Sequence, residues 1–208
     1  EQVLRHGVSF PHTTHCLADG NIMISTLGNE KGGNKGNFLL LDSKTFEVKG
    51  KWSKEDVPFG YDYWYQPRHN VMISTSWGTP NSIKKGFNPA DVQNGEYGHH
   101  LYVFDWKERR CIQTLELDPE AGALPLEVRF KHDPKSTTAF VGAALGSAIF
   151  HIFKQPNGHW STEKIIQIAG KGVEGWALPV MPGLITDIIL SLDDRFLYFS
   201  NWLHGDIR

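Results

Sequence analysis

The sequence predicts an all-β protein assembled from repeated four-stranded units, and three observations predict it. First, four segments share one layout: a short run, a tight turn, then an apolar run closing on a small residue. They span 15–25, 63–74, 128–142 and 188–200, and their closing residues Ser25, Ser74, Gly142 and Ser200 lie 49, 68 and 58 positions apart. Second, the first three segments each continue into two more runs of β-branched and aromatic residues bounded by Gly, Asn, Asp and Pro, which read as strands. Third, seven Trp, twelve Phe and six Tyr accompany 21 Gly, a mixture suited to short strands with many turns, and no stretch keeps a helical period over three turns. A recurrence of roughly 40–60 residues built from short strands is the signature of a β-propeller. Function in such a fold gathers around the central channel, on one face.

Each unit reads as strands A to D, counted outward from the axis. Strands C and D are 37–42 and 46–52 in the first unit, 100–106 and 111–115 in the second, and 148–153 and 163–168 in the third. The blades fall at approximately 8–52, 59–117, 124–168 and 183–208, the last incomplete. An insert at 78–98 is expected to hold one helical turn near Asn88, with Asn88 as its cap and Pro89 at the first position. About three and a half blades cannot close a ring, and an open propeller leaves sheet edges and an apolar face uncovered. The sequence is therefore expected to be part of a longer protein, and its start at Glu1 without Met fits a processed or missing N-terminus.

The 40% hydrophobic content is enough for a core, and a net charge of −2 without a basic run argues against nucleic-acid binding. No apolar stretch approaches the ~20 residues of a membrane span. Two cysteines, Cys16 and Cys111, make no disulfide framework and favour a reducing, intracellular setting.

Propeller topology sorts the candidate residues. The connection leading into strand A and the B–C connection open on one face, and the A–B turn on the other. The functional face thus receives 10–15, 59–62, 125–127 and 183–187, with the B–C loops 28–36, 78–100 and 203–206. His12 and His15, three apart just before an innermost strand, can both face the channel mouth, and neutral imidazole is the commonest transition-metal ligand. Their alternative is plain hydrogen bonding to loop backbone. Cys16 follows directly, but alternation along a strand turns it away from His15. Asp62, Glu127 and Asp187 occupy the equivalent lead-in to strand A of the next three units. They either converge on a metal or on a ligating histidine, or cap loops or pair with Arg129 or a nearby Lys. His204, near Asp206, is a candidate ligand or general base. His99 and His100 begin a strand C away from the axis and read as structural, as do His69 and His132 on the opposite face. Gly32–Gly36 lacks the ending of a phosphate-binding loop, no serine sits on a nucleophile elbow, and Cys111 reads as a small buried hydrophobe.

The runs 12–17, 45–50, 64–75, 86–92 and 191–206, which include His-Thr-Thr-His-Cys-Leu and Trp-Tyr-Gln-Pro-Arg-His-Asn-Val-Met-Ile-Ser-Thr, closely resemble the selenium-binding protein family, whose members include methanethiol oxidases. The resemblance covers essentially all 208 residues and matches the middle of a chain more than twice as long. It implies a seven-bladed WD40/YVTN-like propeller and a copper-dependent oxidase turning methanethiol, O2 and water into formaldehyde, hydrogen sulfide and hydrogen peroxide. It also implies cysteine-linked selenium and a largely cytosolic protein with nuclear and peripheral membrane pools. Carried onto this chain, the family's His-x-x-His-Cys motif falls on His12, His15 and Cys16, with His15 the leading metal ligand and catalytic residue, His12 second, and Cys16 a selenium or thiol contact. The family's upstream His-His and Cys-x-x-Cys motifs and its C-terminal His-Glu-x-Arg segment have no counterpart here, so these 208 residues alone are expected to be inactive. The competing expectation is a non-enzymatic selenium carrier or interaction scaffold in intracellular transport, with residues 61–64 and Trp202 as anchors for protein partners. A weaker third is a metal-dependent hydrolase.

Overall fold

A computed structural model describes residues 1–176 and 179–208. The first sheet orders β1 (Val8–Cys16), β2 (Asn21–Asn29), β4 (Phe38–Asp42) and β5 (Val48–Lys51), while β3 (Lys35–Gly36) pairs separately with β6 (Val57–Pro58). The second sheet runs β7 (Gly60–Gln66), β8 (Val71–Ser76), β9 (His100–Asp105) and β10 (Arg110–Glu116). The third runs β11 (Pro125–Phe130), β12 (Thr138–Ala143), β13 (Ala148–Lys154) and β14 (Trp160–Gln167), and the fourth β15 (Ile185–Leu190), β16 (Leu197–Asn201) and β17 (Asp206–Ile207). The innermost strands β1, β7, β11 and β15 neighbour one another in that order, which makes the four sheets successive blades of a propeller.

Alternation along the strands fills the spaces between blades. Met23, Phe38 and Leu40 of the first blade meet Tyr63, Met72, Tyr102 and Phe104 of the second. Within that layer Phe38 stands edge-to-face against Trp52, Tyr63 and Phe104 at 5.8, 5.2 and 5.5 Å, the arrangement that ring quadrupoles favour. Val71, Ile73, Leu101 and Val103 meet Val128, Val141, Phe150 and Ile152 between the second and third blades. Ile149 then packs on Ile185, Ile188 and Phe199 between the third and fourth. The opposite face of the fourth blade carries Ile189, Tyr198 and Ile207 in the exposed class.

Between β8 and β9 the insert forms two short helices, α1 (Pro80–Ile83) and α2 (Pro89–Gln93). In α2 the Asn88 side chain accepts the Ala90 N–H at 3.1 Å and Pro89 supplies a preset φ, as the sequence predicts. The sequence reading missed α1, which likewise starts on a proline. Its Asn81 donates to the Lys31 carbonyl at 3.0 Å, joining the insert to the first blade's glycine-rich loop.

One device recurs in all four blades. Phe10 within β1, and Phe59, Leu124 and Leu184 just before β7, β11 and β15, have a left-handed φ of 57°, 59°, 62° and 55°, a conformation uncommon for bulky side chains. A register break follows at once, between Pro11 and Thr14, Gly60 and Tyr63, Pro125 and Val128, and Ile185 and Ile188. These are β-bulges, which bend a strand and re-aim its side chains. The sequence alone places His12 and His15 just before the innermost strand; in the structure they lie within it, because β1 begins at Val8 and continues through its bulge.

The bulges are tied to strand B. Thr13 N–H donates to Ser25 Oγ at 3.0 Å, and Ser25 donates to the Tyr61 carbonyl in the next blade at 2.5 Å. Asp62 N–H donates to Thr75 Oγ1 at 3.1 Å, and Thr75 donates to the Leu126 carbonyl of the third blade at 2.6 Å. Asp187 N–H donates to Ser200 Oγ at 3.2 Å. The repeated small residue of the second blade is thus Thr75, not Ser74: the equivalent set is Ser25, Thr75, Gly142 and Ser200. Gly142 breaks the relay because a Cβ there would stand 2.8 Å from Ile185 Cγ2. Thr75→Val keeps the shape of a fully buried side chain but leaves the Asp62 N–H and Leu126 carbonyl unpaired. It should cost about 1–3 kcal/mol in urea unfolding, while Ser74→Ala, losing one 3.3 Å bond, should cost clearly less.

Candidate functional site

The bulges decide which side chains reach the channel face. By register, Thr13, Asp62, Glu127 and Asp187 are equivalent, and so are His12, Tyr61, Leu126 and Thr186. His15, Trp64, Arg129 and Ile189 form the next equivalent rank. The predicted candidates on strand A, from four different blades, therefore fall in three ranks along one rim: His12, then Asp62, Glu127 and Asp187, then His15.

An ion cluster dominates this rim. Asp62 is 2% exposed, and its Oδ2 accepts Arg129 Nη1 at 2.8 Å and the Val128 N–H at 3.0 Å. Arg129 also contacts Glu127 through Nη2 and lies 4.8 Å over the Trp64 ring. One guanidinium thus faces Asp62, Glu127 and, beyond them, Asp187. Burial, with Asp62 and Asp187 adding to it against Arg129, pushes Glu127 up to about 7 from 4.5. Asp187 is exposed, and its Oδ2 accepts from Thr186 Oγ1 at 3.1 Å.

The histidines sit beside this cluster against aromatic rings. His12 lies 4.0 Å from Tyr61 and 6.4 Å from Trp77 between centroids, and its Nδ1 is 3.0 Å from Thr13 Oγ1. His15 is bracketed by Tyr63, Trp64 and Tyr65 at 4.7, 4.9 and 5.4 Å. His12 is exposed and His15 half-buried; desolvation against the neighbouring rings lowers both imidazoles from the ordinary histidine value, against the pull of Asp62, and so favours the uncharged ring a metal needs. Cys16, at the end of β1, is exposed, whereas Cys111 is half-buried and burial raises its thiol.

Not every candidate joins this rim. His204 Nε2 is 3.1 Å from the Met181 carbonyl, and Asp206 is bound to Asn201 and Arg208 instead of to His204. Asp62 and Glu127 are occupied by Arg129, so a cation would have to compete with a fixed guanidinium there. Of the predicted ligands, the imidazoles of His12 and His15 fit copper; the two carboxylates fit the role of arginine partners. Of the proposed partner anchors, Tyr63 is wholly buried, its hydroxyl donating to the Met23 carbonyl at 2.5 Å, while Trp202 is 67% exposed. On the opposite face, His132 Nδ1 is 2.9 Å from Asp194 Oδ1, linking the A–B turns of two blades.

The sequence reading missed an apolar cavity of about 400 Å3 beside His12, walled by Trp77, Phe87, Tyr97, Leu145, Leu184 and Trp202. Its wall comes from three blades and the helical insert, so no single stretch signals it. Trp77, edge-on to Tyr61 at 4.9 Å, joins the cavity to the His12 rank. Among the described residues, the only set of three or more His, Cys, Asp or Glu donors lying within 4.8 Å of one another is His99, His100 and Glu116.

Comparison with known proteins gives a consistent result. The model of the 56kDa selenium binding protein family (SBP56) matches residues 1–208. A methanethiol oxidase of Danio rerio is 62% identical over 204 residues, covering 97% of this chain and 44% of that protein. A methanethiol oxidase of Homo sapiens is 60% identical over 203 residues, with 97% and 43% covered, and a selenium-binding protein 2 of Mus musculus has the same identity and coverage. The chain thus spans less than half the length of these curated relatives. The X-ray structure of a hypothetical selenium-binding protein from Sulfolobus tokodaii superposes with a TM-score of 0.88 at 34% identity, covering 97% of this chain and 46% of that one.

The Glu127 shift carries a sign. A carboxyl with a folded-state value near 7 contributes stability that is full below 4.5 and is lost as pH rises through 7. Glu127→Gln should flatten that decline by up to about 3 kcal/mol, measured as unfolding free energy between pH 4.5 and 7.5.

Proposed function

Because this chain belongs to the 56kDa selenium binding protein family, we propose that the polypeptide carrying it is a copper-dependent methanethiol oxidase. The reaction is methanethiol, O2 and water giving formaldehyde, hydrogen sulfide and hydrogen peroxide, which balances in atoms. The observation that carries this reading is the pair His12 and His15 on the channel rim, both packed against aromatic rings, with His12 6.4 Å from Trp77 in the wall of the apolar cavity.

His12 and His15 would hold the copper, with further ligands supplied from the part of the relatives' length outside these residues. Copper, when bound, supplies affinity for a soft thiolate sulfur and electron transfer to O2. The aromatic brackets around His15 fix its ring plane. The cavity admits a small apolar thiol and leaves no polar wall for a bulky hydrophilic one. Glu127, with a carboxyl ionising near neutrality, takes the thiol proton, and Arg129 holds that carboxyl in place. The insert bearing α1 and α2, tied to the glycine-rich loop by Asn81, roofs the cavity and limits substrate size. Exposed Cys16 is the thiol of this segment open to selenium, and a free surface thiol suits a reducing, cytosolic setting.

His15→Ala in the full-length polypeptide should remove bound copper and methanethiol-dependent peroxide release together, read by metal analysis and a peroxide assay. Wild-type copper content and turnover in that variant would overturn the proposal.

A further inference from the structure

At the outer part of the second blade, away from the channel rim, three donor side chains converge that the oxidase reading does not use. His99 precedes β9, His100 is the first residue of that strand, and Glu116 closes β10. A register break between Cys111 and Gln113 sets the pairing that brings Glu116 directly opposite His100. The backbone around them is fixed. His100 N–H donates to Ser76 Oγ at 2.9 Å, Ser76 donates back to the His100 carbonyl at 2.7 Å, and Leu117 N–H donates to the His99 carbonyl at 2.9 Å.

Consecutive residues on a regular strand point to opposite faces. His99 lies outside the strand, and its ring instead comes to 4.2 Å from that of His100, tilted by 34°. His99 Nε2 is 3.4 Å from Glu116 Oε1, and each of the three residues places a donor atom within 4.8 Å of the other two. His100 Nδ1 is buried with no hydrogen-bond partner among the described residues, which a buried polar atom rarely lacks.

We infer that His99, His100 and Glu116 form a binding site for a divalent transition-metal cation of the zinc class, completed by water. Two imidazoles and a carboxylate are donors that zinc, cobalt and nickel accept. Bonds of about 2.0–2.1 Å in a tetrahedron put ligand atoms about 3.3 Å apart, and the His99–Glu116 pair already stands at that edge length. Glu116, 69% exposed at its side chain, is free to rotate and close the remaining edges. As a hydrogen bond the same 3.4 Å contact is long for a charged partner, so a simple ion pair accounts for the geometry less well. A cation here would clamp the end of the insert that carries Phe87 and Tyr97, two walls of the apolar cavity, to the outermost strand of the blade.

The test uses the full-length polypeptide stripped with a chelator, titrated with Zn2+ by calorimetry and with Co2+ by visible absorption. His99→Ser and Glu116→Gln alter side chains at the blade surface and can be checked for folding by circular dichroism. The wild type should bind Zn2+ and gain thermal stability on binding. Both variants should lose about one equivalent of Zn2+ or weaken it at least about tenfold, while copper added back to the stripped protein should bind both variants as it binds the wild type. Absence of Zn2+ binding to the wild type, or unchanged stoichiometry and affinity in both variants, would overturn the site.

Discussion

The hydroxyls of Ser25 and Thr75 each face two ways, accepting the N–H of their own blade's bulge and donating to the carbonyl of the next. Both are fully buried, so neither bond competes with water, and losing either leaves two backbone groups unsatisfied. The hydrophobic layers between blades fix how the sheets stack, but apolar contact is not directional. Directional contacts set the angle at which each innermost strand meets the channel, and with it the position of every residue on the rim.

The electrostatics of the rim follow from that placement. The bulges bring three carboxylates from three blades toward one guanidinium, and the guanidinium is committed to the most buried of them, Asp62. The remaining imbalance appears at Glu127, whose proton is held to near neutrality. The same rim lowers the imidazoles of exposed His12 and half-buried His15 from the ordinary histidine value, since desolvation against their aromatic neighbours outweighs Asp62 for both.

Much of this was legible in the residues, and the failures have physical causes. Period-2 runs and turn residues located the strands, and the Asn88–Pro89 pair marked a helix start because both caps are local. The bulge was not legible: a bulge shifts the alternation of inside and outside, so the repeated marker was read at Ser74 when the hydrogen bonding selects Thr75. Asp62, Glu127 and Asp187 read as equivalent and Arg129 as one partner for them, but which two it takes, Asp62 and Glu127, needed the second and third blades in contact. That His99, His100 and Glu116 come together has no local signature, because Glu116 lies across a hairpin whose register depends on a second bulge. The aromatic cavity has no sequence signature at all, since its wall belongs to separate blades.

The recurring left-handed residue and bulge have an evolutionary consequence. The bulge is a backbone feature, present in the third blade even where Gly142 offers no hydroxyl, and the pairs it displays differ in every blade: His12 with Thr13, Tyr61 with Asp62, Leu126 with Glu127, Thr186 with Asp187. Each blade is an interchangeable socket. Chemistry can be moved, duplicated or erased one socket at a time while the scaffold stays constant, so the catalytic repertoire of such a ring can diversify without renegotiating its fold.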